Sequence, residues 1–140
     1  MTRAKNIFLV EDDEDDNKFF VEALKEIDDS LSLKRAQNGA EALTQLNKME
    51  PLPDLIFMDI NTPFMNGFDC LIQLKKQTRF EKIPVVILTT SNNPVEAEHA
   101  LVLGASFFLK KPSCFSSIKK NLIDMLNFRF TQIIMDQRKN

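Results

Sequence analysis

The chain has 140 residues, with 18 basic and 20 acidic side chains and a formal net charge of −2. This length fits one ordinary domain, and an apolar share of 44% with 12 phenylalanines is enough for a packed core and excludes a disordered chain. The near-neutral balance argues against a nucleic-acid binder held by electrostatic attraction, so we expect no nucleic-acid partner.

The apolar runs are short, and none approaches the roughly 18 residues that a membrane span needs. The first run, residues 7–10, is also too short for a signal peptide. Cys70 and Cys114 are the only cysteines, and their spacing is not that of a metal site. We therefore expect two reduced thiols in a cytoplasmic protein with no membrane partner.

Short apolar runs alternate with helix-length segments along the chain. Four runs are too short for helices and lack polar alternation, which predicts strands that are buried on both faces. They are residues 7–10, 55–58, 85–88 and 107–109. Residues 31–36 alternate between apolar and polar side chains and predict a more exposed edge strand.

Apolar residues at helical spacing follow each predicted strand. The inward positions are Phe20, Leu24 and Ile27, then Leu43 and Leu46, then Phe68, Leu71, Ile72 and Leu74. Pro94 suits the first turn of a fourth helix that runs to about Leu103, with Gly104 as its left-handed cap. A last helix is predicted to begin near Phe115. Five βα units predict an α/β protein with a doubly wound, five-stranded parallel sheet.

Polar residues follow the predicted strands, and ligands of such sheets bind at the carboxyl ends of the strands. An acidic run that begins with Glu11 and Asp12 follows the first strand, and Asp59 follows the third. Thr89 closes the fourth strand, and Lys111 follows the fifth. These side chains should therefore converge on one edge of the sheet.

These motifs resemble those of response-regulator receiver domains, the phosphoacceptor domains of bacterial two-component signalling. The resemblance covers residues 5 to about 127, with the motifs in order. The matching residues are Glu11, Asp12, Asp59, Pro63, Met65, Asn66, Gly67, Thr89, Lys111 and Pro112. The resemblance implies a flavodoxin-like (βα)5 fold with strand order 2-1-3-4-5.

The three carboxylates of Glu11, Asp12 and Asp59 would repel one another at a common site, so we expect a cation there. A hard divalent ion with oxygen ligands, Mg²⁺, fits best. The resemblance implies that Asp12 and Asp59 coordinate Mg²⁺ directly and that Glu11 contributes through water. It also implies that Asn61 offers its backbone carbonyl.

The resemblance further implies that Asp59 accepts a phosphoryl group from a sensor histidine kinase. Lys111 would then neutralise developing charge, and Thr89 would donate a hydrogen bond to a phosphoryl oxygen. No enzyme activity is implied beyond the domain's own phosphorylation and dephosphorylation.

Each of these residues also has a simpler structural interpretation. Asp59 and Thr89 could be turn or helix caps, and we interpret residues 13–16 as a solvated helix start. Lys110 is expected to face solvent. His99 lies inside the predicted fourth helix and is interpreted as a surface or packing residue.

The resemblance also implies a conformational switch and an unusual peptide bond. The switch would run from Thr89 to Phe108, the residue three before Lys111, although ordinary core packing is the simpler role and Phe107 could take its place. The bond between Lys111 and Pro112 is expected to be cis, because only an X–Pro bond makes cis inexpensive.

Only residues 128–140 follow the predicted receiver domain of residues 5–127, which leaves no room for an output domain. We therefore expect a stand-alone receiver that signals through altered protein contacts. The alternative is a phosphorelay intermediate or phosphate sink, whose partner would be a phosphotransfer protein. Residues 88–93 resemble small receivers that serve phytochrome-type kinases.

Two other classes fit the strand ends less well. A Mg²⁺-dependent phosphatase with an aspartyl nucleophile would need a second acid where Asn61 stands. A flavin-binding protein would need a phosphate-binding loop after the first strand, where six acids, residues 11–16, would repel phosphate.

An apolar stripe at helical spacing continues past the expected end of the domain. It consists of Phe115, Ile118, Leu122, Leu126, Phe130 and Ile133. A helix of roughly 20 residues would span about 30 Å, longer than a small sheet covers. We expect this helix and tail to form a homodimer interface, with folding back or fraying of the tail as the alternative.

Overall fold

The structure of the protein is a computed structural model that describes residues 6–90, 93–111 and 119–124. Within these residues, five parallel strands form one sheet in the order β2-β1-β3-β4-β5. The strands are β1 Asn6–Val10, β2 Ser32–Ala36, β3 Leu55–Asp59, β4 Val85–Thr89 and β5 Phe107–Lys110. The predicted fold class and strand order are confirmed.

Helices connect the strands in the predicted places. They are α1 Glu14–Ile27, α2 Gly39–Lys48, α3 Gly67–Lys75 and α4 Pro94–Val102, and residues 119–124 are also helical. Gly104 has φ +110, which confirms the left-handed turn expected after α4. Across the described residues, no helix is long and apolar enough to cross a membrane.

The core is divided between the two faces of the sheet, because successive side chains of a strand point to opposite sides. On one face Phe8 and Val10 pack with residues of α2, α3 and α4. On the other face Ile7 and Leu9 pack with α1 and with Leu122. β1, β3 and β4 are therefore buried on both faces, as predicted, whereas the edge strand β2 alternates between exposed and partly buried residues up to the buried Ala36. The prediction for residues 107–109 is wrong: β5 lies at the other edge of the described sheet, and these residues are only partly buried.

Asparagine or aspartate side chains cap the helices at the edge of the sheet where the strands end. The caps of α1 to α4 are Asp13, Asn38, Asn66 and Asn93, and each accepts a hydrogen bond from a backbone N–H of the first turn. Such caps satisfy N–H groups that have no partner inside the helix. They fix where each helix begins after its loop.

Several predictions from the sequence fall on residues outside the described ranges. These are the cis bond at Pro112, the helix start at Phe115, the thiol of Cys114, and the tail of residues 128–140 with its proposed dimer contact. They stay predictions. Leu122 is described, and its side chain is buried against the α1 face of the sheet, as the apolar stripe predicts.

Candidate phosphoacceptor site

The carboxyl ends of four strands bring the predicted site residues to one edge of the sheet. Glu11 directly follows β1, Asp59 ends β3, Thr89 ends β4, and Lys111 directly follows β5. The register supports this alignment, since Asp59 lies beside Leu88 and Thr89 lies beside Lys110. Glu11, Asp59 and Thr89 are buried although their side chains are polar.

The ammonium group of Lys111 is the centre of the site. Its Nζ lies 2.6 Å from Glu11 Oε1, 2.8 Å from Asp59 Oδ2 and 3.0 Å from Asp16 Oδ2. Hydrogen bonds between ionised partners are among the stronger ones, and here most of the partners are also shielded from water. Lys111 therefore bridges the ends of β1 and β3 and the first turn of α1.

Backbone groups hold the same side chains from the other side. Glu11 Oε2 accepts a hydrogen bond from the N–H of Asp13 at 3.2 Å, and Asp59 Oδ1 accepts one from the N–H of Asn61 at 3.0 Å. The N–H of Lys111 donates to the carbonyl oxygen of Thr89 at 2.7 Å. Both carboxylates are thus oriented by a charged partner and by an N–H group.

The acidic residues form a group that fits a divalent cation. Glu11, Asp12 and Asp59 each offer one carboxylate oxygen, and these oxygens lie within 4.8 Å of one another. Asp12 is exposed, and it has no ion-pair partner among residues 6–90, 93–111 and 119–124. An all-oxygen set of this kind, partly open to water, matches what Mg²⁺ requires.

Burial and the excess of negative charge shift two pKa values. The pKa of Glu11 is raised to about 7, mainly because the side chain is buried and also because the Asp59 charge lies nearby, whereas the hydrogen bond from Lys111 acts in the opposite direction. Burial lowers the pKa of Lys111, but the hydrogen bonds to Asp59, Glu11 and Asp16 outweigh it and hold that pKa above its usual range. Lys111 is therefore a permanent cation that only partly compensates the carboxylates.

Asp16 corrects the interpretation of the acidic run as a purely solvated helix start. Asp13 fits that interpretation, because its side chain is the helix N-cap. Asp16, however, pairs with Lys111 as well as lying in the first turn. The sequence did contain a signal, since Asp16 stands four residues before the buried Phe20 and so extends the inward face of α1 by one turn.

Arg35 is a second residue that sequence reasoning missed. It lies on the edge strand β2, and its Nε donates to the backbone carbonyl of Glu11 at 2.8 Å. Its Nη1 also bonds to Glu14 Oε1 at 2.9 Å. Arg35 therefore ties the edge of the sheet to the turn that carries Glu11 and Asp12. Its place in an alternating edge strand gave no indication of this contact.

The remaining predicted residues lie where the sequence placed them. Lys110 is exposed, and the exposed His99 on α4 packs its ring against Phe68 with centroids 4.8 Å apart, in agreement with a surface or packing role. Phe108 is partly buried against the core on the α3 and α4 side of the sheet, and Phe107 packs against the opposite face.

Comparison with known proteins identifies the family. The response regulator receiver domain model matches residues 7–123, and the chain belongs to this family. The chain is 31% identical over 139 residues to the two-component response regulator ARR17 of Arabidopsis thaliana, with 92% of this chain and 90% of that protein covered. It is 35% identical over 112 residues to response regulator Rcp1 of Synechocystis, with 76% of each covered.

Solved structures agree with this assignment. The phosphorylated cyanobacterial phytochrome response regulator RcpA has a TM-score of 0.83 at 28% identity, covering 91% of this chain and 95% of that chain. The Mn²⁺-bound form of Rcp1 has a TM-score of 0.79 at 29% identity, covering 87% and 94%.

Longer enzymes also match, but only over part of their length. The chain spans 27% of a protein-glutamate methylesterase/protein-glutamine glutaminase of Methanococcoides burtonii. It spans 29% of a probable cyclic di-GMP phosphodiesterase of Vibrio cholerae.

The chain is thus a receiver domain of a two-component response regulator. Receiver domains are generally signalling rather than enzymatic domains; they bind Mg²⁺ and are phosphorylated by histidine kinases.

Gly67 is predicted to set the position of Asp59. A Cβ at residue 67 would lie 2.7 Å from Ile60 Cα and 2.8 Å from the Asp59 carbonyl oxygen, so the backbone of the site would have to move. We expect Gly67→Ala to destabilise the protein by about 1–3 kcal/mol and to lower its Mg²⁺ affinity. Isothermal titration with Mg²⁺ measures the affinity, and chemical denaturation measures the stability.

Gly104→Ala is the matched control. The φ of +110 makes it a strained substitution as well, but its Cβ would meet only the flexible Lys75 side chain at 3.0 Å. Gly104 lies before the amino-terminal end of β5, whereas the site lies at the carboxyl ends of the strands. Gly104→Ala should therefore lose stability and keep its Mg²⁺ affinity, and equal affinities in the two variants would contradict the role of Gly67.

Proposed function

We propose that this protein is a single-domain response regulator that accepts a phosphoryl group on Asp59 from a sensor histidine kinase, with Mg²⁺ required. The observation that carries the proposal is the Lys111 ammonium, which joins Glu11 and Asp59 beside the exposed carboxylate of Asp12. A nucleophilic carboxylate, a fixed cation and a group of metal-binding oxygens are the parts that phosphoryl transfer needs.

The transfer needs no reactant other than the phosphohistidine of the kinase and the carboxylate of Asp59. A carboxylate oxygen of Asp59 bonds to phosphorus while the bond from phosphorus to the phosphohistidine nitrogen breaks. The electron pair of that bond returns to the imidazole, which leaves as a neutral ring when its other nitrogen carries a proton. Asp59 becomes an acyl phosphate. Lys111, 2.8 Å from Asp59 Oδ2, holds the carboxylate and neutralises negative charge near it.

The acidic residues would hold the metal. Asp12 and Asp59 would be direct ligands, Glu11 would contribute through water, and Asn61 would offer its backbone carbonyl. When bound, Mg²⁺ would supply positive charge that draws the phosphoryl oxygens and the carboxylates together. The N–H of Asn61 already fixes Asp59 Oδ1, so the loop that would offer the carbonyl also orients the nucleophile.

The signal would leave the domain as a change in protein contacts. The receiver would span residues 5–127 with a C-terminal extension at 128–140, act in the cytoplasm, and bind an output protein or pass the phosphoryl group to a phosphotransfer protein. The match extends over 90% of ARR17 and 76% of the single-domain Rcp1, which supports a receiver that acts without an attached output domain. A relay or phosphate-sink role is the second candidate, favoured by the same single-domain relatives.

Asp59→Asn is expected to abolish phosphorylation by acetyl phosphate and Mg²⁺, because the amide is not a nucleophile. Intact mass should show one added phosphoryl group on the wild type and none on the variant. Asp69→Asn, an exposed aspartate on α3, is the control and should be phosphorylated like the wild type. Equal phosphorylation of the wild type and Asp59→Asn would remove Asp59 as the acceptor.

Asp12→Ala is expected to lose Mg²⁺-dependent phosphorylation while the fold stays intact. The change removes a metal ligand, but it also relieves repulsion from Glu11 and Asp59, so the free energy of unfolding without Mg²⁺ should be unchanged or higher. Phosphorylation assays and urea denaturation in a chelator test both statements. Asp15→Ala, on the same acidic run, serves as the control. A less stable Asp12→Ala without Mg²⁺ would contradict the repulsion argument.

The switch is proposed to run from Thr89 to Phe108. On phosphorylation the Thr89 hydroxyl would move towards a phosphoryl oxygen, and the Phe108 ring would fill the space that it leaves. Phenylalanine lacks the hydroxyl that would favour an outward position, so the inward state should dominate. A crystal structure with a phosphoryl mimic should show both residues moved and Phe107 unchanged. Thr89 and Phe108 in their present positions would refute the coupling.

A further inference from the structure

The carboxylate of Asp16 is the third ion-pair partner of Lys111, and it is not part of the group of oxygens that fits the metal. We propose that Asp16 competes with the bound phosphoryl group for Lys111 and thereby weakens the affinity of the site for phosphoryl oxygens. Asp16 is in this sense a positioning residue, which acts through Lys111. The inference rests on the proposed phosphorylation of Asp59.

The donors of Lys111 are fully used in the described structure. An ammonium group has three N–H donors and no acceptor. Glu11, Asp59 and Asp16 each take one contact, at 2.6, 2.8 and 3.0 Å. An oxygen of an incoming phosphoryl group can therefore bind Lys111 only when one of these carboxylates is displaced or shares its donor.

Burial decides which carboxylate is displaced. The Glu11 side chain is 3% exposed, and its other carboxylate oxygen accepts a hydrogen bond from the N–H of Asp13, so it has little freedom to turn away from Lys111. Asp59 carries the phosphoryl group itself. The Asp16 side chain is 46% exposed, so its carboxylate can be hydrated once it leaves Lys111. Of the two partners that remain carboxylates after phosphorylation, Asp16 is therefore the one that gives way more easily.

The residues around Asp16 and Lys111 do not pack tightly against this ion pair. A cavity of about 40 Å³ lies beside the Asp16–Lys111 pair, between α1, the ends of β4 and β5 and the helical residues 119–124. Its apolar walls include Phe20, Leu109 and Leu122. The Asp16–Lys111 pair is therefore not tightly enclosed on this side.

A neutral side chain at residue 16 should consequently improve binding of a phosphoryl-like anion. Asp16→Asn keeps the shape and an oxygen acceptor for Lys111 but removes the competing charge. The probe is beryllium trifluoride with Mg²⁺, titrated into the full-length protein. We expect Asp16→Asn to bind the probe about threefold more tightly than the wild type, the effect of a partly exposed ion pair. Phosphorylation by acetyl phosphate should also be faster.

Asp15→Asn is the matched control, because it removes the same charge from the same helical turn, and Asp15 is exposed and is not among the ion-pair partners of Lys111. Its affinity for the probe should stay close to that of the wild type. Asp16→Glu keeps a carboxylate within reach of Lys111 and should bind as weakly as the wild type. Circular dichroism checks that all variants are folded.

The outcomes are distinct. Equal gains in Asp16→Asn and Asp15→Asn would mean that only overall charge matters and would overturn the proposal. Weaker binding by Asp16→Asn would also overturn it, since Asp16 would then hold Lys111 in its binding position. A wild-type protein that binds no probe and is not phosphorylated would contradict the proposed function as well, whereas failure of the Asp16 comparison alone would leave the proposed function standing.

Discussion

One ammonium group faces more carboxylates than it can neutralise, and the arrangement of this edge of the sheet follows from that imbalance. Lys111 pairs with Glu11, Asp59 and Asp16, while Asp12 stays exposed nearby. Three strand ends and the start of α1 are drawn together by this contact, yet negative charge remains in excess. The negative charge that Lys111 leaves uncompensated would attract a divalent cation to this edge of the sheet.

The rest of the fold supplies the precision that the charges alone would lack. Parallel strands in register bring the site residues to one level, and the caps of α1 and α3 fix where these helices begin beside the site. Gly67 allows α3 to start against the backbone of Asp59, where a Cβ would not fit. Arg35 fixes the turn after β1 from the edge of the sheet. The positions of the carboxylates are thus determined by backbone geometry as much as by their attraction to Lys111.

The sequence predicted the strands, the helices and the grouping of Glu11, Asp12, Asp59, Thr89 and Lys111, because buried parallel strands and their polar ends leave local patterns. The order of the strands left no such pattern and came from the family resemblance. Asp16 and Arg35 were missed for a common reason. In the linear sequence each has the polar neighbours that are typical of a solvated residue. The contact of Asp16 with Lys111 depends on how α1 is rotated against the site, and the contact of Arg35 with Glu11 depends on the position of the edge strand β2. That rotation is set by packing between elements distant in the chain.

The backbone hydrogen bond from Lys111 to the carbonyl of Thr89 links the end of β4 directly to the end of β5. A displacement of the end of β4 would therefore act on the end of β5 through this bond. A displacement that begins in the interior of the sheet is therefore delivered as a shift of an outermost strand. Since β5 is the last strand of the described sheet, such a shift would reach an edge of the sheet through the main chain, alongside the side-chain path from Thr89 to Phe108.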